Sequence, residues 1–117
     1  MNPQELRDRS KAFAISIIKF VDLLPKKESA FIIKKQIIRS STSVASNYRA
    51  ACRARSDAEF FAKICIVVEE ADETLFWLEI IEEAEIFNGQ ILIDLKRESL
   101  ELLKIYSVSK KSAKPYS

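Results

Sequence analysis

The sequence predicts an all-α protein: an antiparallel four-helix bundle with up-down-up-down topology. Helix-breaking residues are scarce, with one glycine and three prolines in 117 residues, whereas a β-sandwich needs turn residues at short, regular intervals. Apolar residues recur at spacings of three and four, the period of a helix with one buried face. The length and the 48% hydrophobic content suffice for one domain with its own core. This domain is predicted over residues 1–111, followed by a polar tail over 112–117.

The four predicted helices span about residues 3–23, 27–54, 57–87 and 90–110. The first follows Asn2, a good N-cap, with Pro3 at its first position, and it ends before Pro25. The second contains the run from Ser40 to Ser43, which has low helix propensity. A break in this run is the alternative to a continuous helix. We favour continuity because the apolar positions keep the same phase on both sides of it.

The third predicted helix begins with a capping box, in which Ser56 is the N-cap and Glu59 stands three residues later. Its apolar residues form a heptad seam of Phe61, Ile64, Val68, Ala71, Leu75 and Leu78. Asn88 and Gly89 are predicted to end it, with the glycine in the left-handed C′ conformation. Because the three connections are only a few residues long, consecutive helices are expected to be antiparallel neighbours.

The composition argues against catalysis and metal binding. The chain has no histidine, which is the usual general base and a common zinc ligand. It has no glycine-rich phosphate loop and no serine-nucleophile motif. We therefore expect no enzyme activity, no cofactor and no metal site. No apolar run reaches the ~20 residues of a membrane helix, and the N-terminus has no signal-peptide pattern. These features predict a cytoplasmic protein without a membrane partner.

Charge is segregated between the second and third predicted helices. Residues 26–55 include eight basic residues and one acidic residue, whereas residues 57–85 include ten acidic residues and one basic residue. On a continuous second helix, four side chains fall within about 40° of one direction and span about 27 Å: Lys35, Arg39, Arg49 and Arg53. This stripe, with Arg55 just beyond it, could follow the phosphate backbone of RNA or DNA. The alternative is that it pairs with the acidic third helix, in the same chain or in a neighbouring subunit.

Up-down topology adds a second charge asymmetry along the bundle. The N-terminus, the turn between the second and third helices and the C-terminus must share one end. That end gathers Arg7, Arg9, Lys11, Arg49, Arg53, Arg55, Lys63, Lys110, Lys111 and Lys114. A basic end of this kind suits a polyanion.

The third predicted helix has more apolar surface than one seam requires. Four large residues lie off the heptad seam: Ile66, Phe76, Trp77 and Ile80. Exposed large apolar groups mark interfaces, so we predict that these residues form a homo-oligomer interface. The alternative is that the third helix is central and buried on two sides within one subunit.

The middle of the chain resembles a known family. Residues 39–56, with the sequence RSSTSVASNYRAACRARS, look like the family called four-helix bundle protein, whose founding members are encoded by intervening sequences within bacterial 23S ribosomal RNA genes. The resemblance continues through residues 59–63 and 69–79 and spans nearly the whole chain. The family often has glycine where this chain has Ser41 and Ala45, and both changes favour a continuous second helix.

The resemblance implies antiparallel bundles that associate as ring-shaped homopentamers. The family is similar to the accessory protein of diversity-generating retroelements, a basic pentamer that binds a reverse transcriptase and nucleic acid. Residues and resemblance together favour a non-enzymatic, oligomeric protein that contacts RNA or DNA through Lys35, Arg39, Arg49, Arg53 and Arg55. The alternative is a protein-interaction adaptor that docks another protein through its basic and acidic faces and has no nucleic-acid role.

Overall fold

The chain folds into a four-helix bundle, which confirms the predicted fold class. The computed structural model describes residues 1–116, in which α1 spans Pro3–Val21, α2 Glu28–Cys52, α3 Asp57–Glu83 and α4 Gln90–Ser112. Each helix packs against the next one along the chain, and α4 also contacts α1, the most sparsely of the four neighbouring pairs. The bundle measures about 48 × 25 × 20 Å. Residue 117, the last of the predicted tail, lies outside the described residues.

The two predicted N-caps are present. The side-chain oxygen of Asn2 accepts a hydrogen bond from the backbone N–H of Glu5 at 2.8 Å, and Ser56 Oγ accepts one from Glu59 N–H at 3.0 Å. Each bond satisfies a backbone donor that has no partner within its helix. The ends of α1, α2 and α4 differ from the predicted ends by one or two residues at most, which includes the extension of α4 to Ser112, into the predicted tail.

The prediction that α3 continues to residue 87 was wrong, because the helix ends in a Schellman motif at Glu83. Glu85 takes the left-handed conformation, with φ 55°, and its N–H bonds to Glu82 O at 3.0 Å. Ile86 N–H bonds to Ile81 O at 2.9 Å, and the Ile86 side chain is buried. These are the two hydrogen bonds and the apolar contact of the motif. Burial of Ile86 thus offsets the cost of a positive φ at a glutamate.

Gly89 has a different role from the predicted one, since it is the N-cap of α4. A Cβ atom at this position would lie 3.3 Å from the Phe87 ring. The glycine therefore allows the chain to pass closely over Phe87, whose ring meets Phe20 edge to face at a centroid distance of 5.2 Å. This contact joins the end of α1 to the α3–α4 connection.

Helix α2 is continuous through its serine-rich run, as predicted. Thr42 Oγ1 donates to Ile38 O at 2.7 Å, so a hydroxyl is satisfied by its own helix. Ser40 is fully buried, and its Oγ lies 2.8 Å from Thr74 Oγ1 of α3. The small side chains let α2 and α3 approach closely at mid-length, and the two buried hydroxyls satisfy each other.

The buried seam of α3 is displaced from the predicted one. Its buried residues are Ile64, Val67, Ala71, Thr74, Leu78 and Ile81, whereas Phe61, Val68 and Leu75 are only partly buried. The prediction chose the most apolar positions on a helix that is apolar on several sides. It therefore missed Thr74, whose burial depends on a hydroxyl partner on another helix rather than on hydrophobicity.

Polar contacts join α1 to α4. Ser10 and Tyr106 share a hydrogen bond between buried hydroxyls, and burial raises the pKa of Tyr106 to about 12. Arg9 contacts the carboxylate of Glu98 through two nitrogens, at 2.6 and 2.7 Å, and Glu101 at 2.8 Å. The hydrogen bonds that Arg9 donates, first to Glu98 and then to Glu101, raise the pKa of Arg9. Arg9 is thus committed to its own bundle.

Candidate nucleic-acid interface

The predicted basic stripe lies on the outside of α2. All five predicted residues are exposed: Lys35, Arg39, Arg49, Arg53 and Arg55. They do not form one uniform row, however, because their surroundings differ. Lys35 lies near the start of α2, about 21 Å from Arg49 by helical rise. The other four divide between the neighbours of α2, and this division determines which charges are available to a ligand.

Arg39 is turned towards α3 and paired there. Its guanidinium lies 2.8 Å from Glu70 Oε2 and also binds Glu73. The hydrogen bonds that Arg39 donates, first to Glu73 and then to Glu70, raise the pKa of Arg39. Partial burial opposes the ionisation of Glu73, but hydrogen bonds from Trp77 Nε1–H and Arg39 outweigh it and lower the pKa of Glu73. Arg39 therefore pairs with the acidic helix of its own chain, which is the alternative to phosphate binding that the sequence left open.

Arg55 lies in the turn between α2 and α3 and has little around it. Its side chain is 89% exposed, and its Nε is 3.5 Å from Glu59 Oε2, one helical turn further along. An exposed pair at this separation contributes little to stability. Arg55 can therefore reorient towards a ligand at small cost.

Arg49 and Arg53 lie on the other side of the stripe, facing α1. Together with Arg7 and Lys11 of α1 they line a depression of about 230 Å³ that also includes Asp8. Each helix contributes two cations four residues apart, which places both on one face. We call these four residues, Arg7, Lys11, Arg49 and Arg53, the basic cluster.

The cations of the basic cluster form no ion pair with any carboxylate in residues 1–116. Across residues 1–116, the ion pairs involve other basic residues, namely Arg9, Arg39, Arg55, Lys96 and Arg97. Arg7 donates a hydrogen bond to the amide oxygen of Gln4. The amide nitrogen of Gln4 donates to both oxygens of Asp8, at 3.0 and 3.2 Å, so this carboxylate is hydrogen-bonded to a neutral amide rather than ion-paired. The depression therefore gathers four cations beside one carboxylate.

A second depression, of about 250 Å³, continues from the basic cluster along α1 and α2. We call it the α1–α2 groove. Ala14 of α1 and Ala45 of α2 lie along it, together with Ile15 and Ile18 of α1. It shares Arg7, Lys11 and Arg49 with the basic cluster, so cationic and apolar surfaces meet without a boundary between them.

The four predicted interface residues on α3 divide into two pairs. Ile66 and Phe76 are exposed, at 38% and 47%. Trp77 and Ile80 are partly buried and pack against the core of their own chain, and the Phe76 and Trp77 rings meet edge to face at 5.0 Å. Of the four predicted residues, only Ile66 and Phe76 are therefore exposed, so the apolar surface that they offer is smaller than expected.

Sequence reasoning named only half of the basic cluster as a site. Arg7 and Lys11 were assigned to the basic end of the bundle, but not to the stripe. Their spacing of four, which Arg49 and Arg53 repeat, was the available signal. The sequence does not show how α1 is rotated about its own axis. In the structure this rotation places Arg7 and Lys11 beside α2 and Arg9 beside α4.

Within residues 1–116, no three cysteine, aspartate or glutamate side chains converge as metal ligands would. None of the four helices is long and apolar enough to cross a membrane.

The fold and the basic cluster together define a class: a small helical bundle with a cationic depression between two of its helices. The chain belongs to the family of 23S rRNA-intervening sequence proteins, whose family model matches residues 4–108. It is also similar to a Bacteroides thetaiotaomicron protein of unknown function from the S23 ribosomal protein family, whose crystal structure is known. The two are 33% identical with a TM-score of 0.83, over 92% of this chain and 99% of that one. No curated protein is significantly similar to the chain.

Proposed function

We propose that this chain is a non-enzymatic, oligomeric protein that binds RNA or DNA by holding the phosphate backbone on the basic cluster. The observation that carries the proposal is the convergence of Arg7, Lys11, Arg49 and Arg53 in one depression, where none of the four forms an ion pair with a carboxylate of residues 1–116. Their mutual repulsion would be relieved by an anion. A polyanion is the anion best suited to four cations spread over two helices.

The contrast within α2 supports this assignment. Arg39 is the member of the predicted stripe that is bound by two carboxylates, so a phosphate would have to displace both. Arg49 and Arg53 carry no such cost. We therefore assign binding to Arg49 and Arg53, with Arg55 able to join them, and a structural role to Arg39. Lys35 is too distant to belong to the same contact.

The chemistry of the cluster supports a binding role rather than catalysis. It holds three guanidinium groups and one ammonium group beside a single amide-bound carboxylate. Such a set supplies no matched acid, base and nucleophile. Its contacts would be to phosphate and sugar, which position a nucleic acid without reading its sequence.

Binding is tested by fluorescence anisotropy of a labelled structured RNA across a salt series. If about four phosphates are neutralised, the logarithm of the association constant should fall linearly with the logarithm of salt concentration, with a slope of about −3 to −4. No binding at low salt would contradict the proposal. The adaptor hypothesis, in which the basic and acidic faces dock a protein, would then become the better explanation of the charge segregation.

We further propose self-association through the apolar surface of α3, with a pentamer as the assembly that the family resemblance implies. Light scattering should give a mass several times that of the 13.4 kDa chain. Phe76→Asp should lower that mass, because it buries a charge against an apolar partner surface. The matched control is Val108→Asp, at an exposed apolar position of α4, which should leave the mass unchanged. A monomeric wild-type protein at micromolar concentration would contradict the proposal.

A further inference from the structure

The α1–α2 groove is the feature that the phosphate contacts leave unexplained. A surface that bound only a phosphate backbone would need cations and hydrogen-bond donors, not an apolar trough beside them. Here the trough begins at the cations themselves, because Arg7, Lys11 and Arg49 line both depressions. A ligand with its charge on the basic cluster would therefore have its neighbouring atoms over the groove.

The shape of the groove follows from the residues that α1 and α2 bring together. Ala14 and Ala45 are too small to fill the space between the two helices. Ile15 and Ile18 remain 43% and 41% exposed. This leaves an open apolar space of about 250 Å³, and covering its apolar surface would be favourable.

Two hydroxyl groups line the same groove. Thr42 Oγ1 donates to Ile38 O at 2.7 Å, and Ser46 Oγ donates to Ser43 O at 3.3 Å. Because both donate to their own helix, each keeps lone pairs that can accept a hydrogen bond. The groove therefore offers cations at one end, an apolar surface along its length and acceptors at its edge.

We propose that the α1–α2 groove holds the base of an unpaired nucleotide whose phosphate lies on the basic cluster. This inference rests on the proposed nucleic-acid function and names its substrate class as single-stranded. A base presents flat apolar faces and polar edges with N–H donors, which match Ile15, Ile18 and the two hydroxyl groups. In a duplex the bases are stacked and paired, so a duplex would engage the cations but leave the groove empty.

The expected sequence preference is weak. No aromatic side chain lines the groove, so the base lies against aliphatic side chains and against the guanidinium planes of Arg7 and Arg49. Every base has a face that can make these contacts. The groove should therefore favour a strand that carries unpaired bases over an abasic strand, with little preference among the four bases.

The test uses fluorescence anisotropy with three labelled DNA probes. These are a single strand of mixed sequence, an abasic strand of equal length and charge, and a duplex of the same sequence. The wild-type protein should bind the base-bearing strand about tenfold more tightly than the abasic strand. Ala45→Leu fills the groove without changing charge, and it should abolish this preference while leaving affinity for the abasic strand unchanged. Ser46→Leu, at an exposed position beside it, is a second filling variant that keeps the test valid if Ala45→Leu disturbs folding.

The matched control is Ala62→Leu, the same substitution at an exposed position of α3, which should behave as the wild type. Equal affinity of the wild type for the two single strands, unaffected by either filling variant, would overturn the groove proposal but leave the proposed function standing. Failure to bind all three DNA probes, while the structured RNA still binds, would also overturn the groove proposal alone; failure to bind the RNA as well would remove the proposed function itself. A lower light-scattering mass for the filling variants would show that a second copy of the chain occupies the groove, which also overturns the proposal.

Discussion

Reversing the two α2 arginines of the basic cluster, Arg49→Glu with Arg53→Glu, should lower RNA affinity at least about 100-fold at low salt. Two phosphate contacts are lost, and two carboxylates then repel the backbone from the same positions. The salt slope should therefore fall by about half, because it counts the phosphates that are neutralised.

The control separates a local contact from the loss of overall positive charge. Lys19→Glu with Lys104→Glu changes net charge by the same amount at exposed positions of α1 and α4 that lie outside the cluster. This variant should keep most of the affinity. Wild-type affinity in the Arg49/Arg53 variant, with helical content and melting temperature unchanged, would contradict the assignment of the site. Equal losses in both variants would mean that binding depends on net charge and not on the cluster.

Four helices and their order could be predicted because they depend on local signals. The caps at Asn2 and Ser56, the scarcity of glycine and proline and the apolar period each act over a few residues. Where the prediction failed, the deciding contact was not local. Helix α3 ends at Glu83 because Ile86 finds a buried place in the bundle, which no property of residues 83–89 taken alone would reveal.

Only two of the four residues of the basic cluster could be predicted as site residues, for a related reason. The period of a helix shows which charges share a face, so Arg49 and Arg53 could be paired from the sequence. It does not show how neighbouring helices are rotated, and that rotation determines whether a cation meets a carboxylate. Arg39 lies on the α3 side of the stripe and is paired there with Glu70 and Glu73. Arg49 lies on the α1 side and meets further cations.

The largest expected loss of stability comes from Phe20→Ala, which should lower the free energy of unfolding by about 3–5 kcal/mol. Phe20 is fully buried and packs edge to face against Phe87. Truncation would remove the transfer free energy of the ring and leave a cavity where the end of α1 meets the α3–α4 connection. For a domain whose total stability is about 5–15 kcal/mol, a large part would be lost, and urea unfolding followed by circular dichroism would measure it.

The chain offers a matched control in Phe31→Ala, the same substitution at a side chain that is 45% exposed. Its loss should be about 1 kcal/mol or less, because nearly half of the Phe31 residue stays in contact with water in the folded protein. Both variants should be measured at one protein concentration, since self-association adds to apparent stability. Equal losses at the two positions would contradict the core assignment.

Phe20 lies far along α1 from the residues of the basic cluster, so folded Phe20→Ala protein should retain its affinity for RNA. The arginine reversal should instead lose affinity for RNA without loss of stability. These opposite responses would separate the residues that hold the bundle together from those that bind nucleic acid.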